Sequence, residues 1–475
     1  MEVVHVGKWK PDPGPAASLA KVEAIFSNPA LYELADTIPE HAGIGRPRSY
    51  PNYMVIAFAA LISVWRSARQ TEAELGHPLV WRLVRRIAAE RFPDDPAMHL
   101  PARPMRRHHF TYLRDRYLTR PAILSELGRL HRECAVAQAR DAGLLDPEGL
   151  GSFTHPDLSR MLHADGKVLT PLYRAKPGDV HLDKRTGEVH RMRAEPDAAL
   201  HFEGDGEAAW GTKFVLVAAR SGEGRIILDV QHVPSPGGEA AVAVDCFSRL
   251  VPLAPGTLGV IYDTALRGTH HQRLLRELGI LCVNRVTAAE NRGGARAGWK
   301  GVRIEKSVHV EDRELRLADG MTKTLRLFAK AGAIGIVEFS EDGSSRFVRL
   351  KRRRIHRNLL RNGLFGWYQD YLLPPSYGGG TITVRLHGNY EDAARGLNRA
   401  ENVRAIPPGD PDFYKLYARR NDSESLNRLL EDSLYIGRVH SLGHARQQVE
   451  ILGWALVVNS ITLARRSQRS LPLTA

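Results

Sequence analysis

The chain has 475 residues, and 67 lysines and arginines against 53 aspartates and glutamates leave a formal net charge of +14. That length suffices for about two to four domains with sizeable cores, and the positive excess favours a polyanionic partner, nucleic acid first among them. Three cysteines, Cys134, Cys246 and Cys282, are far apart, odd in number and form no CxxC pair, which excludes a disulfide framework and a zinc ribbon. The opening MEVVHVGKWKPDPGP lacks the apolar core of a secretion signal, and Tyr53 to Trp65 is too short for an unforced membrane span. A soluble protein of the reducing cytoplasm is expected, with no membrane attachment.

In chain order, the first 150 or so residues read as helical, near Ala17 to Leu34, Pro51 to Arg69, Thr71 to Arg86 and Phe110 to Ala142. Pro78 is expected to kink or split the third helix, and Thr71 with Glu74 to cap it. Arg82, Arg85, Arg86, Arg91, Arg103, Arg106 and Arg107 put positive charge around these helices, either against DNA phosphates or as a solvated face. From Gly151 the pattern changes to strands: Met161 to Leu169, Lys213 to Ala219 and Ile226 to Val233, then a helix from Glu239 to Leu250. A strand from Leu258 to Asp263 and a helix from Thr269 to Leu278, stopped by Gly279, lead to a strand from Ile280 to Val286. Periodicity supports a mixed α/β sheet flanked by helices.

Next comes a β-rich insertion, with alternating runs at Val302 to Ile304, Leu315 to Leu317, Leu325 to Phe328, Ile334 to Phe339 and Phe347 to Leu350. Turns at Asp319-Gly320 and Asp342-Gly343 separate them. The charge run KRRRIHR contributes Lys351, Arg352, Arg353 and Arg354 beside Phe365, Trp367 and Tyr368. Cations interleaved with aromatics suit a nucleic-acid backbone and a stacked base, with Trp367 as the stacking ring. The other reading is a solvated strand end beside the insertion's own core. Helix returns from Asp422 to Tyr435 and from Gly443 to Arg466, where Ile451, Trp454, Leu456, Val458, Ile461 and Leu463 form an apolar surface expected to pack on the sheet.

Candidate chemistry centres on three acids. Asp165 ends MLHAD and Asp263 ends LGVIYD, two strand-like runs that deliver a carboxylate to a sheet edge, while Glu424 lies in YARRNDSE. At about 100° per residue, Tyr417, Arg420 and Glu424 fall at roughly 0°, 300° and 340° on one helical stripe. Hard carboxylate oxygens of this kind hold Mg²⁺ or Mn²⁺ and leave positions for water and phosphate. Other patterns fall away. Gly206-x4-Gly211 continues as Thr212-Lys213, a near miss to a phosphate loop, and Tyr377-Gly-Gly-Gly380 reads as a flexible connection. The pairs His108-His109 and His270-His271 diverge, whereas His163 shares the strand face of Asp165 and reads either as a core histidine or as a neighbour of the site.

Tyr417, Arg420 and Glu424 reproduce the Y-x2-R-x3-E signature of bacterial DDE transposases of the insertion-sequence-four type, and over most of its length the chain resembles that family. Further matches are Ala164-Asp165-Gly166, WGTKF from Trp210, DTALRG from Asp263 and ESLN from Glu424. The resemblance implies an RNase H-like core at 151–286 and 406–475, interrupted by a β-rich insertion at 287–405 and preceded by a helical DNA-binding domain at 1–150. It implies that Asp165, Asp263 and Glu424 are catalytic and hold two Mg²⁺ ions about 4 Å apart, with Mn²⁺ as a substitute. Arg420 would grip a phosphate and Tyr417 donate a hydrogen bond. Terminal inverted repeats and target DNA are the expected partners, bound by a homodimer on paired ends that cuts and pastes through a hairpin. The family pattern continues with a lysine where this chain has Glu431, and Arg428 is the expected basic substitute. A decayed transposase that only binds DNA, and a non-mobile RNase H-like nuclease, are the alternatives.

Overall fold

The computed structural model describes residues 14–41, 47–202, 208–286, 306–316 and 321–470, without the side chains of 14–16 and 470. The amino-terminal segment up to residue 13, Gly206, the run Val302 to Ile304, Leu317 and the Asp319-Gly320 turn lie outside the described residues.

Seven helices come first: α1 (Gly14–Ser27), α2 (Ala30–Ala35), α3 (Tyr53–Trp65), α4 (Ala68–Leu75), α5 (Pro78–Arg91), α6 (Arg107–Leu113) and α7 (Pro121–Asp141). Local chemistry divides them more finely than periodicity does. Pro29 separates α1 from α2, Arg66 turns left-handed (φ 65°) to end α3, and Pro78 opens α5 at a position where its missing N–H costs nothing. The expected Thr71–Glu74 cap is replaced by Ser67, whose hydroxyl accepts the Gln70 N–H at 3.1 Å; Thr71 is buried inside α4. Every residue of α3, YMVIAFAALISVW, is buried, so its all-round apolarity reflects a central position in the core. No described helix is long and apolar enough to cross a membrane.

The sheet follows: β1 (Met161–Leu169), the small hairpin β2 (Val180–Leu182) and β3 (Val189–Arg191), then β4 (Ala199–Phe202), β5 (Ala208–Arg220) and β6 (Arg225–Val233). Helix α8 (Glu239–Leu253), strand β7 (Gly259–Ile261), helix α9 (Gly268–Arg273) with a wider turn to Leu278, and β8 (Leu281–Val283) complete it. Strands β4-β5-β1-β7-β8 lie side by side, with β6 also on β5. The β6-β5-β1 meander is antiparallel, whereas β7 and β8 run parallel to β1.

The inserted region holds a four-stranded sheet, β9 (Val308–Arg316), β10 (Thr322–Lys330), β11 (Ala333–Phe339) and β12 (Ser345–Arg349), and a three-stranded one, β13 (Lys351–Leu359), β14 (Phe365–Leu372) and β15 (Thr381–Arg385). Short helices α10 (Tyr390–Ala394) and α11 (Arg399–Asn402) lead to α12 (Pro411–Tyr417), α13 (Arg420–Ser433) and α14 (His444–Ser470).

Alternation along β1 sorts the core. Leu162 and Ala164 join α8 and the later part of α7 on one face, with Val215, Val217, Leu228 and Val260. On the other face Phe214, Leu216, Ala218 and Ile227 pack with α13, α14 and the amino-terminal helices in one continuous cluster. Helix α14 therefore packs on the sheet, as its apolar surface suggested, and on α3 behind it. Gly453 allows that second contact, because a Cβ there would stand 2.6 Å from the Ala59 carbonyl carbon. A further cluster joins the inserted strands to Met161, Ile261 and Val283 at the sheet's β8 side.

Candidate active site

Parallel pairing sets two of the acids. The register His163↔Ile261 carries Asp165 and Asp263, each two residues further on, to the same level, Asp263 just past the carboxyl end of β7 and Asp165 in the middle of β1, which runs on to Leu169 where its parallel neighbour has ended. Both carboxyl groups are held above the ordinary range. Burial, then the negative charges of Glu239 and Asp263, push Asp165 up to about 7. Burial also raises Asp263, against the opposing effect of the Ala265 N–H, which donates to its Oδ1 at 2.8 Å. The loop after β7 is tied down by Asn284, whose amide donates to the Asp263 and Leu266 carbonyls and accepts from Arg404.

Facing them across β1 lies α13. Its Asn427 donates to Asp165 Oδ2 at 3.0 Å, and one turn on Glu431 meets the Lys167 ammonium at 2.6 Å. The 165/167 spacing on the strand thus matches 427/431 on the helix. Arg420 opens α13, is ion-paired with Glu424, and feels the charges of Asp165 and Asp263 as well. Of the three acids, Glu424 alone is in direct contact with the Arg420 guanidinium among the described ion pairs, and Asp165 and Asp263 act on it through their charge. Glu424 is half-exposed, and among the described residues no three acidic, histidine or cysteine side chains are close enough to share one metal ion.

The single-helix arithmetic for Tyr417, Arg420 and Glu424 needs correction. The helix is interrupted by a turn at Ala418 and Arg419, so Tyr417 ends α12 while Arg420 begins α13. Tyr417 stays near the site by packing, stacked on Phe413 with the Arg285 guanidinium 5.3 Å from its ring centre. Arg428, the expected substitute for the family lysine, points into solvent with Asp432 3.8 Å away.

Four neighbours escaped sequence reasoning. Glu239, first residue of α8, comes up from the other face of the sheet, accepts from the Tyr262 hydroxyl at 2.7 Å and pairs with Lys213 at 2.5 Å. Gly166 makes this approach possible, since a Cβ there would lie 2.4 Å from the Glu239 Cδ and 2.7 Å from the Lys213 Cε. Lys213, Asn427 and Lys167 lie inside or beside the quoted WGTKF, ESLN and ADG motifs, which was the available signal. For Glu239 there was none.

The basic run of β13 separates into roles. Lys351, Arg353 and Arg354 are exposed. Arg352 is instead buried against Asp410 at 2.9 Å and Asp412 at 2.5 Å, joining the strand to α12. Trp367 is wholly buried, its indole N–H donating to the Leu275 carbonyl at 2.6 Å, so its ring has no free face for a base. The seven arginines singled out between Arg82 and Arg107 are all exposed.

No family model matches the chain, and no curated protein matches it. Among solved structures it is similar to a piggyBac transposase synaptic complex with hairpin DNA, at 9% sequence identity and a TM-score of 0.27, covering 96% of this chain and 82% of that one. A likeness this slight carries neither fold nor function across.

Proposed function

We propose that the protein is a DNA transposase that cleaves the ends of a mobile element and joins them to target DNA, with Asp165, Asp263 and Glu424 as its catalytic acids. The observation that carries this reading is the partly buried pair Asp165 and Asp263, level with one another along the adjacent parallel strands β1 and β7 and near a helix that presents Arg420 and Glu424. The strand order β6-β5-β1-β7-β8, antiparallel and then parallel, supports an RNase H-like core.

Crowded hard-oxygen donors whose charges oppose one another suit Mg²⁺ or Mn²⁺ at Asp165 and Asp263, and Glu424 would complete the set if it exchanged its Arg420 partner for the cation. Two such ions, when bound, supply Lewis acidity to the scissile phosphate and its attacking hydroxyl. The chain's own groups do the rest. Asn427 fixes the Asp165 carboxylate, Lys213 offsets Glu239, and the released Arg420 holds a phosphate oxygen. Lys167, from β1, supplies the cation beside Glu431 that the resemblance would put on the helix. Exposed Lys351, Arg353, Arg354 and the arginines of the helical region meet the DNA backbone. Hairpin formation and a homodimer on paired ends belong to the same proposal.

The test uses the full chain with Mg²⁺ and the terminal inverted repeats that flank its coding sequence. Nicking and joining are expected, and Asp263→Asn or Glu424→Gln abolishes both while end binding, read by fluorescence anisotropy, persists. Full activity in either variant removes that residue from the catalytic set. Lys167→Ala is expected to lower strand transfer about tenfold or more, and Arg428→Ala to leave it unchanged; the reverse pattern returns the role to Arg428.

One observation favours a second reading, a transposase-derived protein that binds DNA without cutting it: Glu424 is engaged by Arg420, and Glu431 adds a carboxylate on the same helix. Salt-sensitive binding without metal-dependent cleavage establishes it.

A further inference from the structure

Two residues before Asp165 on the same face of β1, His163 lines a cavity of about 220 Å³ between that strand, the β5–β6 turn and the start of α13. Leu158 and Ile261 form its apolar wall, and Arg220 and Arg419 line it as well. Charge there is unbalanced. Arg220, Arg225 and Arg419 surround a single carboxylate, Asp422, with Arg225 and Arg419 at 3.6 and 3.5 Å and Arg220 in direct contact. His163 itself is 3% exposed, and its Nε2 has no hydrogen-bond partner. A buried ring nitrogen left unpaired carries a desolvation cost that, in the tautomer with its proton on Nε2, an anion accepting from it would remove.

We propose that this cavity is a phosphate-binding subsite, taking a backbone phosphate of the DNA strand whose neighbouring linkage lies at Asp165. Guanidinium forks match the oxygens of a phosphate, an imidazole N–H adds a donor, and the apolar wall accommodates the attached sugar. His163 and Asp165 are two residue steps apart on the strand, roughly 7 Å, a displacement comparable with one nucleotide step of an extended strand. The identity of the ligand as DNA rests on the proposed function; the phosphate chemistry does not.

The test pairs charge removal on each partner. Arg419→Gln and Arg220→Gln each leave Asp422 two arginines, so folding is retained, checked by an unchanged circular-dichroism melt. Inorganic phosphate, followed by ³¹P line broadening with the full chain, is expected to bind the parent and to lose most of that binding in either variant. On the DNA arm, neutral methylphosphonates are placed one linkage at a time near the cleavage position. One linkage is expected to weaken binding about fivefold or more in the parent and to have no effect in Arg419→Gln, whose salt dependence falls by about one counterion. Phosphate binding that disappears in the variants, on DNA that is never cut, supports the subsite while the transposase reading fails. Phosphate binding coupled to both arginines without any sensitive linkage overturns the DNA assignment, and equal phosphate binding by parent and variants overturns the subsite.

Discussion

Asp165→Asn isolates the electrostatic strain that marks the site. In the cation-free protein the folded carboxyl titrates at about 7 against a usual 3.8, because burial and the charges of Glu239 and Asp263 oppose ionisation. The folded state therefore holds a proton that the unfolded chain releases. Stability from this group is complete below the unfolded value and is lost as pH rises through about 7. About three units at about 1.4 kcal/mol each set an upper bound of about 4 kcal/mol. Asparagine keeps the shape and the Gly166 N–H contact, cannot ionise, and retains Asn427 if that amide flips to offer its oxygen. In EDTA near pH 8.5 the variant is expected to exceed the parent in unfolding free energy by up to about 4 kcal/mol, and near pH 5 the advantage should shrink strongly. Urea unfolding at both pH values, with m compared, measures it. Saturating Mg²⁺ should erase the gap at high pH by stabilising only the parent. An advantage equal at both pH values, or a loss at pH 8.5, would refute the argument that a crowded, partly buried carboxylate is waiting for a cation.

Gly166→Ala drives a methyl group into Glu239 and Lys213 and is expected to cost about 1–3 kcal/mol, read as a lower urea midpoint; a neutral result would mean that Glu239 does not press against β1. Arg352→Ala removes the main partner of the buried Asp410 and of the partly buried Asp412, leaving them Arg349 at 3.9 Å and His155 at 2.8 Å, so a loss of about 1–3 kcal/mol is expected, whereas Arg353→Ala or Arg354→Ala should leave the thermal melt unchanged and flatten the salt dependence of DNA binding. Equal melts for all three would remove the structural role assigned to Arg352.

Sequence alone determined the elements whose pattern is local. The bounds of β1, the start of α8, the stop at Gly279 and the position of Asp263 past the end of β7 follow from period, apolar runs and a left-handed glycine (φ 64°), each readable within a few residues, whereas Asp165, expected at a strand end, lies mid-strand because pairing with β5 carries β1 on to Leu169. Tertiary structure decided which charges face one another. Asn427 reaches Asp165 across 262 positions, Glu431 reaches Lys167, and Glu239 arrives through the face of the sheet that Gly166 leaves open. The basic run at 351–357 and the ring of Trp367 read alike as nucleic-acid contacts, yet Arg352 is paired inside the fold and Trp367 is enclosed. A residue's letter fixes its charge and its shape. Whether its neighbour is water, a carboxylate or a backbone carbonyl depends on segments that meet only when the chain has folded, and that neighbour sets whether a cation binds a ligand or holds the protein together.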